Sequence, residues 1–441
     1  MGTPLSLVSR SAGSRAFVIR AWAEALTEAG LAGIATGLLA LHVADDNFLQ
    51  PQPGTSAADH LVSGLVPLAL LVAFVVRYRR LRAGTRAAIA IATGSFGIAA
   101  GVGEAGYYTL ALGPSGDDYT GLLAIPAGLL LVCVGTATLW RTRRLGNRLA
   151  WRYSRRLLLA VAAVASAYFV AAPLALTYVF THAARAHVPT ARLGAAYEKV
   201  SFKTADGLTL HGWYVPSKNR AAVISAPGRA DSQRPARMLV RHGYGVLLFD
   251  RRGEGESDGD PHIFGWGAEK DLNAAVAFLQ RRADVDRARI GGIGLSVGGE
   301  TLLQAAAESD GLKAVVSDGA GSRSIREDLA RPGTSKWEEV PTSLVMTVGN
   351  MLFSNQAPPP ELGRIVSRIA PRPVLFIYGE HDQANVVDLT PRYYAKAGRP
   401  KALWRVPGAS HTGGIDAHPR EYERRVVAFL DNALLQQKGT P

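Results

Sequence analysis

The sequence Gly294-Leu295-Ser296-Val297-Gly298-Gly299 decides the fold of the C-terminal part of this chain. An apolar run typical of a β-strand (residues 289–295) leads into it, and helical spacing follows over residues 297–307. A serine between a strand and a helix requires a sharp turn with strained backbone, which flanking glycines permit. The pattern predicts a nucleophilic Ser296 in a turn formed by Gly294 and Gly298. A glycine-rich packing turn is the structural alternative.

Runs of β-forming residues alternate with runs of helical spacing on both sides of this motif. The β-like runs are residues 197–202, 208–215, 221–226, 245–249, 289–295, 313–317, 374–378 and 402–406, and the helix-like runs are residues 234–241, 268–280, 297–307 and 420–435. Such alternation indicates a mostly parallel sheet with helices on both faces, whose sites lie at the carboxyl ends of the strands. Residues 197–437 are therefore predicted to form one α/β domain.

Two loops in this domain carry the partners that a nucleophilic serine needs. A serine hydroxyl requires a general base, and the base requires a carboxylate that orients it. Asp382 follows the strand at residues 374–378, and His411 follows the strand at residues 402–406. The order serine, acid, histidine is the one expected for a serine on a strand–helix turn. We therefore predict a catalytic triad of Ser296, Asp382 and His411, with Asp318 as the alternative acid.

Residues 197–437 resemble the α/β-hydrolase superfamily, in particular the Bem46-like and prolyl-oligopeptidase-like serine hydrolases. The resemblance rests on the serine motif, on residues 379–382 (GEHD) and 408–411 (GASH), and on residues 249–259, which are similar to the family stretch D-x-R-G-x-G-x-S-x-G. It implies ester, thioester or amide hydrolysis through an acyl-enzyme, with esterase or lipase activity expected before peptidase activity. It also implies that residues 322–362, which interrupt the β/α rhythm, form a lid-like insertion.

The loop after the third β-like run departs from the family pattern. It reads Ser225-Ala226-Pro227-Gly228-Arg229, where the family usually has His-Gly. The family pattern implies that the backbone N–H groups of Arg229 and Val297 form an oxyanion hole, and loss of one such donor costs roughly a hundred- to thousand-fold in rate. An inactive or weak hydrolase fold that serves as a binding or sensing domain is therefore the alternative function. We expect the Arg229 side chain to be solvated at the surface, or else to bind an anionic substrate group.

Residues 1–182 are apolar and poor in charge, with 15 of the 49 basic and 8 of the 36 acidic residues. Five apolar stretches occur there, at residues 29–44, 61–76, 87–113, 120–140 and 157–181, and a helix needs about 20 residues to cross a membrane. Acidic loops alternate with arginine-rich loops, which the positive-inside rule places in the cytoplasm. We therefore predict an all-α transmembrane bundle of about five helices, a linker at residues 183–196 and a multi-pass protein of the cell membrane. The hydrolase domain is predicted to be extracytoplasmic.

The net charge of +13 favours a membrane surface over nucleic acid as a partner, because the basic clusters lie beside apolar stretches. The sequence contains no metal-ligand cluster, P-loop or dinucleotide fingerprint, so we expect no metal and no cofactor. The single cysteine, Cys133, excludes an intramolecular disulfide. The expected partners are the membrane lipid bilayer and a small-molecule or lipid-like acyl substrate, and the sequence leaves the oligomeric state open.

Overall fold

The computed structural model describes residues 27–103, 119–142, 149–183, 185, 188–334 and 336–436. The chain divides into two compact units, the first formed by Met1–Pro51 with Ser56–Val179 and the second by Gln52–Thr55 with Phe180–Pro441. Residues 104–113 of the predicted third membrane span lie outside the described residues.

The first unit is helical in its described part. Its helices are α1 (Glu28–Ala44), α2 (Leu61–Arg77), α3 (Ala83–Gly101), α4 (Tyr119–Arg141), α5 (Leu149–Ser166) and α6 (Ala172–Thr181). Helices α3 and α4 approach each other closely at glycines: a Cβ on Gly94 would lie 2.5 Å from the carbonyl oxygen of Gly128. Small residues allow helix backbones to pack at this distance.

Three helical segments of the described chain are long and apolar enough to cross a membrane: Ala57–Arg80, Thr120–Arg141 and Tyr153–Thr181. The prediction of five spans is therefore wrong in number. Helix α1 has 17 residues, and the helical segment Asp45–Leu49 that continues it brings in the charges of Asp45 and Asp46, which a membrane span disfavours. The described part of the predicted third span is helix α3, whose glycine, serine and threonine residues and Arg86 lower its hydropathy.

The second unit contains a sheet of eight strands, as the alternating pattern predicts. The strands are β1 (Glu198–Lys203), β2 (Thr209–Val215), β3 (Ala222–Ala226), β4 (Gly245–Phe249), β5 (Ile290–Leu295), β6 (Ala314–Asp318), β7 (Val374–Gly379) and β8 (Lys401–Val406). Their order in the sheet is β1-β2-β4-β3-β5-β6-β7-β8. Strand β2 pairs antiparallel with β1 and β4, and the other neighbours are parallel. A mostly parallel sheet of this kind is covered on both faces.

Helices flank this sheet and bury both of its faces. They are α7 (Gln233–Arg241), α8 (Ala268–Leu279), α9 (Val297–Glu308), α10 (Ile325–Ala330), α11 (Lys336–Phe353), α12 (Leu362–Ile365), α13 (Ala384–Lys396), α14 (Gly414–Ala417) and α15 (Pro419–Leu430). Neighbouring residues of β4 belong to different hydrophobic clusters, Leu247 to one and Leu248 to the other. Since side chains alternate across a strand, the two clusters lie on opposite faces of the sheet.

Removal of a core side chain from a central strand should destabilise this unit. Phe376 of β7 is fully buried, and Phe→Ala changes in cores cost about 3–5 kcal/mol. We expect Phe376→Ala to lower the thermal unfolding midpoint of the full chain in detergent by roughly 10 °C, measured by scanning fluorimetry. Ser201→Ala, at an exposed position of β1, should leave the midpoint unchanged. Equal midpoints for the two variants would contradict the assignment of Phe376 to the core.

Candidate active site

Ser296 occupies the turn between β5 and α9 with backbone angles that non-glycine residues rarely adopt. Its φ is 51° and its ψ is −123°. The turn is held by close backbone contacts: a Cβ on Gly294 would lie 2.3 Å from the carbonyl oxygen of Gly298. A Cβ on Gly298 would lie 2.6 Å from the carbonyl carbon of Ala226 at the end of β3. Strained backbone of this kind persists only where the surrounding structure enforces it, and it is concentrated at functional sites.

The structure brings together the three residues predicted as a triad, each in a loop at the carboxyl end of a strand. Nε2 of His411 lies 2.8 Å from Oγ of Ser296, and Nδ1 of His411 lies 2.6 Å from Oδ1 of Asp382. Strands β5, β7 and β8 run parallel in one sheet, so their carboxyl ends meet at one edge. The arrangement has the hydrogen-bond connectivity of a nucleophile, a base and an orienting acid.

Local charges favour a negative Asp382 and a protonatable His411. Burial would raise the pKa of the Asp382 carboxyl, but hydrogen bonds from His411 and from two backbone N–H groups outweigh it, so the pKa lies below its usual value. The hydrogen bond with Asp382 raises the pKa of His411. The carboxylates of Asp318 and Glu300 act on His411 in the same direction, while burial opposes them. An imidazolium formed during a reaction would be stabilised here.

Asp318, the alternative acid, lies beside the site in a different environment. Its Oδ2 accepts a hydrogen bond from the hydroxyl of Tyr422 at 2.9 Å, whereas its backbone carbonyl accepts one from the N–H of Ser296 at 2.7 Å. Burial and the nearby charge of Asp382 raise the pKa of Asp318 to about 6. The carboxylate hydrogen-bonded to His411 is therefore that of Asp382.

The expectation that the Arg229 side chain is solvated at the surface is wrong. The side chain is 1% exposed. Its Nε donates to Asp250 at 2.8 Å, its Nη2 pairs with Asp250 and Glu256, and its guanidinium lies over the ring of Trp213. A buried guanidinium requires such partners, and motif reading alone did not reveal them. These contacts fix the side chain of the loop residue whose backbone N–H the family pattern assigns to the oxyanion hole.

A cavity of about 320 Å³ opens at Ser296 and has a strongly polar lining. Glu300 accepts a hydrogen bond from the N–H of Gly321 at 3.0 Å and lies 3.7 Å from Nε of Arg323. Burial raises the pKa of Glu300. Asn350 of α11 is 4% exposed, and its Oδ1 has no hydrogen-bond partner among the described residues.

Glu300, Arg323 and Asn350 were not among the predicted site residues. Glu300 lies four residues after Ser296, which places it one helical turn further along the same face of α9, so its spacing could have indicated it. Arg323 and Asn350 belong to the predicted insertion at residues 322–362, and no motif marks them.

Known proteins resemble the part of this chain that contains Ser296, Asp382 and His411. A family model described as X-Pro dipeptidyl-peptidase (S15 family) matches residues 208–413. The uncharacterized protein Rv2307c of Mycobacterium tuberculosis is 33% identical over 219 residues, which cover 48% of this chain and 71% of that protein. The chain belongs to the α/β-hydrolase superfamily.

Other relatives match similar shares of the chain. The uncharacterized protein YfhR of Escherichia coli K12 is 27% identical over 253 residues, which cover 54% of this chain and 82% of that protein. The solved structure of the esterase Pf2001 of Pyrococcus furiosus is 24% identical with a TM-score of 0.47, and the match covers 57% of this chain and 98% of that chain. The resemblance to the Bem46-like branch stays a prediction.

The raised pKa of His411 predicts the acid limb of a pH–rate profile. A general base must be neutral, so hydrolysis should rise with pH through the pKa of His411, which lies above its usual 6.5. In Asp382→Asn the carboxylate that raises this pKa is lost. We expect the limb of kcat/KM to move to lower pH and the rate to fall roughly 10³- to 10⁴-fold, measured with a p-nitrophenyl ester.

Glu380→Gln provides the control for this prediction. Glu380 lies in the same loop, but its carboxylate accepts hydrogen bonds from Arg405 and from the N–H of Gly408. The acid limb should stay in place in this variant. A limb that does not move in Asp382→Asn would show that Asp382 does not act on the titrating group.

Proposed function

We propose that this protein is a membrane-anchored serine hydrolase that cleaves carboxylic esters through an acyl-enzyme. The observation that carries the proposal is the pair of hydrogen bonds that joins Ser296 to His411 at 2.8 Å and His411 to Asp382 at 2.6 Å. The positive φ of Ser296 adds support, because it is the backbone conformation that raises a nucleophilic hydroxyl above a sheet.

The proposed reaction has two halves. Oγ of Ser296 attacks the ester carbonyl carbon while Nε2 of His411 takes the hydroxyl proton, and the backbone N–H groups of Val297 and Arg229 hold the resulting oxyanion. The tetrahedral intermediate collapses, the bond to the alcohol breaks, and His411 gives its proton to the leaving alkoxide. Water then attacks the acyl-enzyme with His411 as base, which releases the acid and restores Ser296. Asp382 keeps His411 oriented throughout.

The cavity favours a short or polar acyl group. Its volume of about 320 Å³ is at the lower end of ligand pockets. Oδ1 of Asn350 in its lining has no hydrogen-bond partner among the described residues, and a long alkyl chain does not supply one. A substrate delivered from the membrane would therefore present a small acyl group to Ser296.

Serine peptidase activity is the second candidate, because the matching family model is that of an X-Pro dipeptidyl-peptidase. The same serine, histidine and aspartate would cleave an amide, with His411 protonating the leaving amine. Parallel assays with p-nitrophenyl acetate and an aminoacyl-prolyl p-nitroanilide distinguish the two activities.

The proposed membrane anchor consists of the three candidate spans and of a further crossing that begins at α3. We further propose that the protein is multi-pass and that the hydrolase domain is extracytoplasmic. Support for this orientation comes from Arg77, Arg79, Arg80 and Arg82, which precede α3 and which the positive-inside rule assigns to the cytoplasm. The three crossings that follow them then end outside.

A fluorophosphonate probe tests the proposed nucleophile. We expect the full chain in detergent to be labelled, Ser296→Ala to be unlabelled, and labelling of His411→Ala to fall by more than a hundredfold, because the hydroxyl loses its base. Ser410→Ala, which changes an exposed serine in the His411 loop, should be labelled like the wild type. A folded wild type that is not labelled would reject the enzyme and support a binding or sensing domain.

Cysteine accessibility tests the orientation. In a Cys133→Ser background, Ala205→Cys lies at an exposed turn of the hydrolase domain and Gly84→Cys at an exposed position of α3. We expect an impermeant maleimide on intact cells to label the first variant, and to label the second only after permeabilisation. The reverse pattern would place the domain in the cytoplasm.

A further inference from the structure

Helix α11 has two faces of opposite character. One face lines the cavity at Ser296 through Ser343, Met346, Thr347 and Asn350, whose spacing of three, one and three residues follows a helix. The other face is exposed and apolar. Its large side chains are those of Trp337, Leu344, Val348 and Met351, which are 60%, 51%, 44% and 47% exposed.

This arrangement is the reverse of that on an ordinary surface helix, which buries its apolar stripe and exposes its polar residues. Between Val340 and Phe353 every exposed residue is apolar: Pro341, Leu344, Val348 and Met351. A continuous apolar stripe on a surface marks a site that another apolar surface covers.

A cationic groove borders the same helix. The groove has a volume of about 420 Å³ and shares Thr347 of α11 with the active-site cavity. Arg326, Arg364 and Arg368 line it. Among the described residues that line the groove, Glu361 is the one carboxylate, and it lies 3.5 Å from Arg326 and 3.0 Å from Arg364. The groove therefore carries excess positive charge beside an apolar stripe.

Two observations indicate that a lipid bilayer is the surface that covers the apolar stripe and the cationic groove. The last candidate span ends at Thr181 and β1 begins at Glu198, so about 16 residues, which reach at most roughly 55 Å, separate the two. The stripe also begins with Trp337, and Nζ of Lys336 lies 5.6 Å from its ring centroid. Tryptophan beside lysine is typical of the interface between lipid headgroups and acyl chains.

We propose that the exposed face of α11 docks into the interface of a bilayer that contains anionic phospholipids, with headgroup phosphates in the groove formed by Arg326, Arg364 and Arg368. This inference rests on the proposed membrane anchor and is independent of the bond that the enzyme cleaves. Docking sets one wall of the active-site cavity against the membrane, because α11 supplies residues to both surfaces. The enzyme would thereby receive substrates from the bilayer surface.

The test uses the full chain, one copy per lipid nanodisc, in a Cys133→Ser background. Val348→Cys carries an environment-sensitive fluorophore, and the discs contain lipids spin-labelled near the headgroup. We expect blue-shifted emission and quenching at Val348→Cys, with stronger quenching in discs that contain phosphatidylglycerol. The matched position is Ser201→Cys on β1, where we expect neither effect. The proposal is overturned if, in both kinds of disc, the fluorophore at Val348→Cys emits at the same wavelength as the water-exposed fluorophore at Ser201→Cys.

Discs with one copy separate lipid from protein contacts. A blue shift without quenching by the spin-labelled lipid would mean that protein covers the stripe, and it overturns the proposal. If the shift is present with two copies per disc and absent with one, the stripe is an interface between copies of this chain, which overturns it equally.

A separate set of variants tests the headgroup site. Arg326→Gln and Arg368→Gln should each lower the docking equilibrium roughly fivefold in anionic discs and leave it unchanged in phosphatidylcholine discs. Arg287→Gln changes an exposed arginine that does not line the groove and should have no effect. Equal quenching in the groove variants and the wild type overturns the phosphate site.

The Ser296→Ala variant separates catalysis from docking. This variant should dock like the wild type and fail to react with the fluorophosphonate. Docking with an unlabelled wild type would reject the proposed nucleophile alone, whereas labelling without lipid quenching would reject the docking surface alone.

Discussion

The site depends on a backbone constraint at the turn between β5 and α9. Gly294 and Gly298 bring the strand, the helix and the end of β3 so close together that a Cβ at either position would overlap main-chain atoms. Ser296 is held at positive φ between them, which costs free energy that the packed sheet must supply. Because the helix begins at Val297, the same turn leaves backbone N–H groups free of helical acceptors near the hydroxyl. Position of the nucleophile and the electrostatics around it thus have one structural origin.

The carboxylates around His411 show how environment separates chemically identical groups. Asp382 accepts hydrogen bonds from His411 and from two backbone N–H groups, which keep its pKa low. Asp318 is buried with the Tyr422 hydroxyl as its hydrogen-bond donor, and its pKa rises to about 6. A carboxylate is stabilised by the number of donors aimed at it and destabilised by burial. Asp382 therefore suits the task of holding a constant negative charge beside the imidazole, whereas the charge of Asp318, with its raised pKa, changes near pH 6.

Sequence reasoning predicted the parts of this fold that local pattern controls. The eight strands and the loops of Asp382 and His411 follow from β-forming runs and chain order. The buried pair of Arg229 and Asp250 was missed, because 21 residues separate the partners and only the fold brings them together. The number of candidate spans was overestimated, because the segments of α1 and α3 were predicted to be long enough and apolar enough to cross a membrane. The orientation of the two faces of α11 was not predicted either, because periodicity identifies an apolar face without showing whether that face is buried or exposed.

The direction in which α11 faces has a consequence for the chemistry at Ser296. A helix that packs its apolar side inward would have made the cavity wall apolar. Here Ser343, Thr347 and Asn350 face inward beside Met346, and Leu344, Val348 and Met351 face outward. The polar wall and the apolar exterior therefore come from a single choice of helix orientation. Rotation of α11 by half a turn would instead turn Leu344 and Val348 into the cavity and expose Ser343, Thr347 and Asn350. The apolar outer face of α11 and the polar cavity wall beside the nucleophile are therefore coupled through one helix.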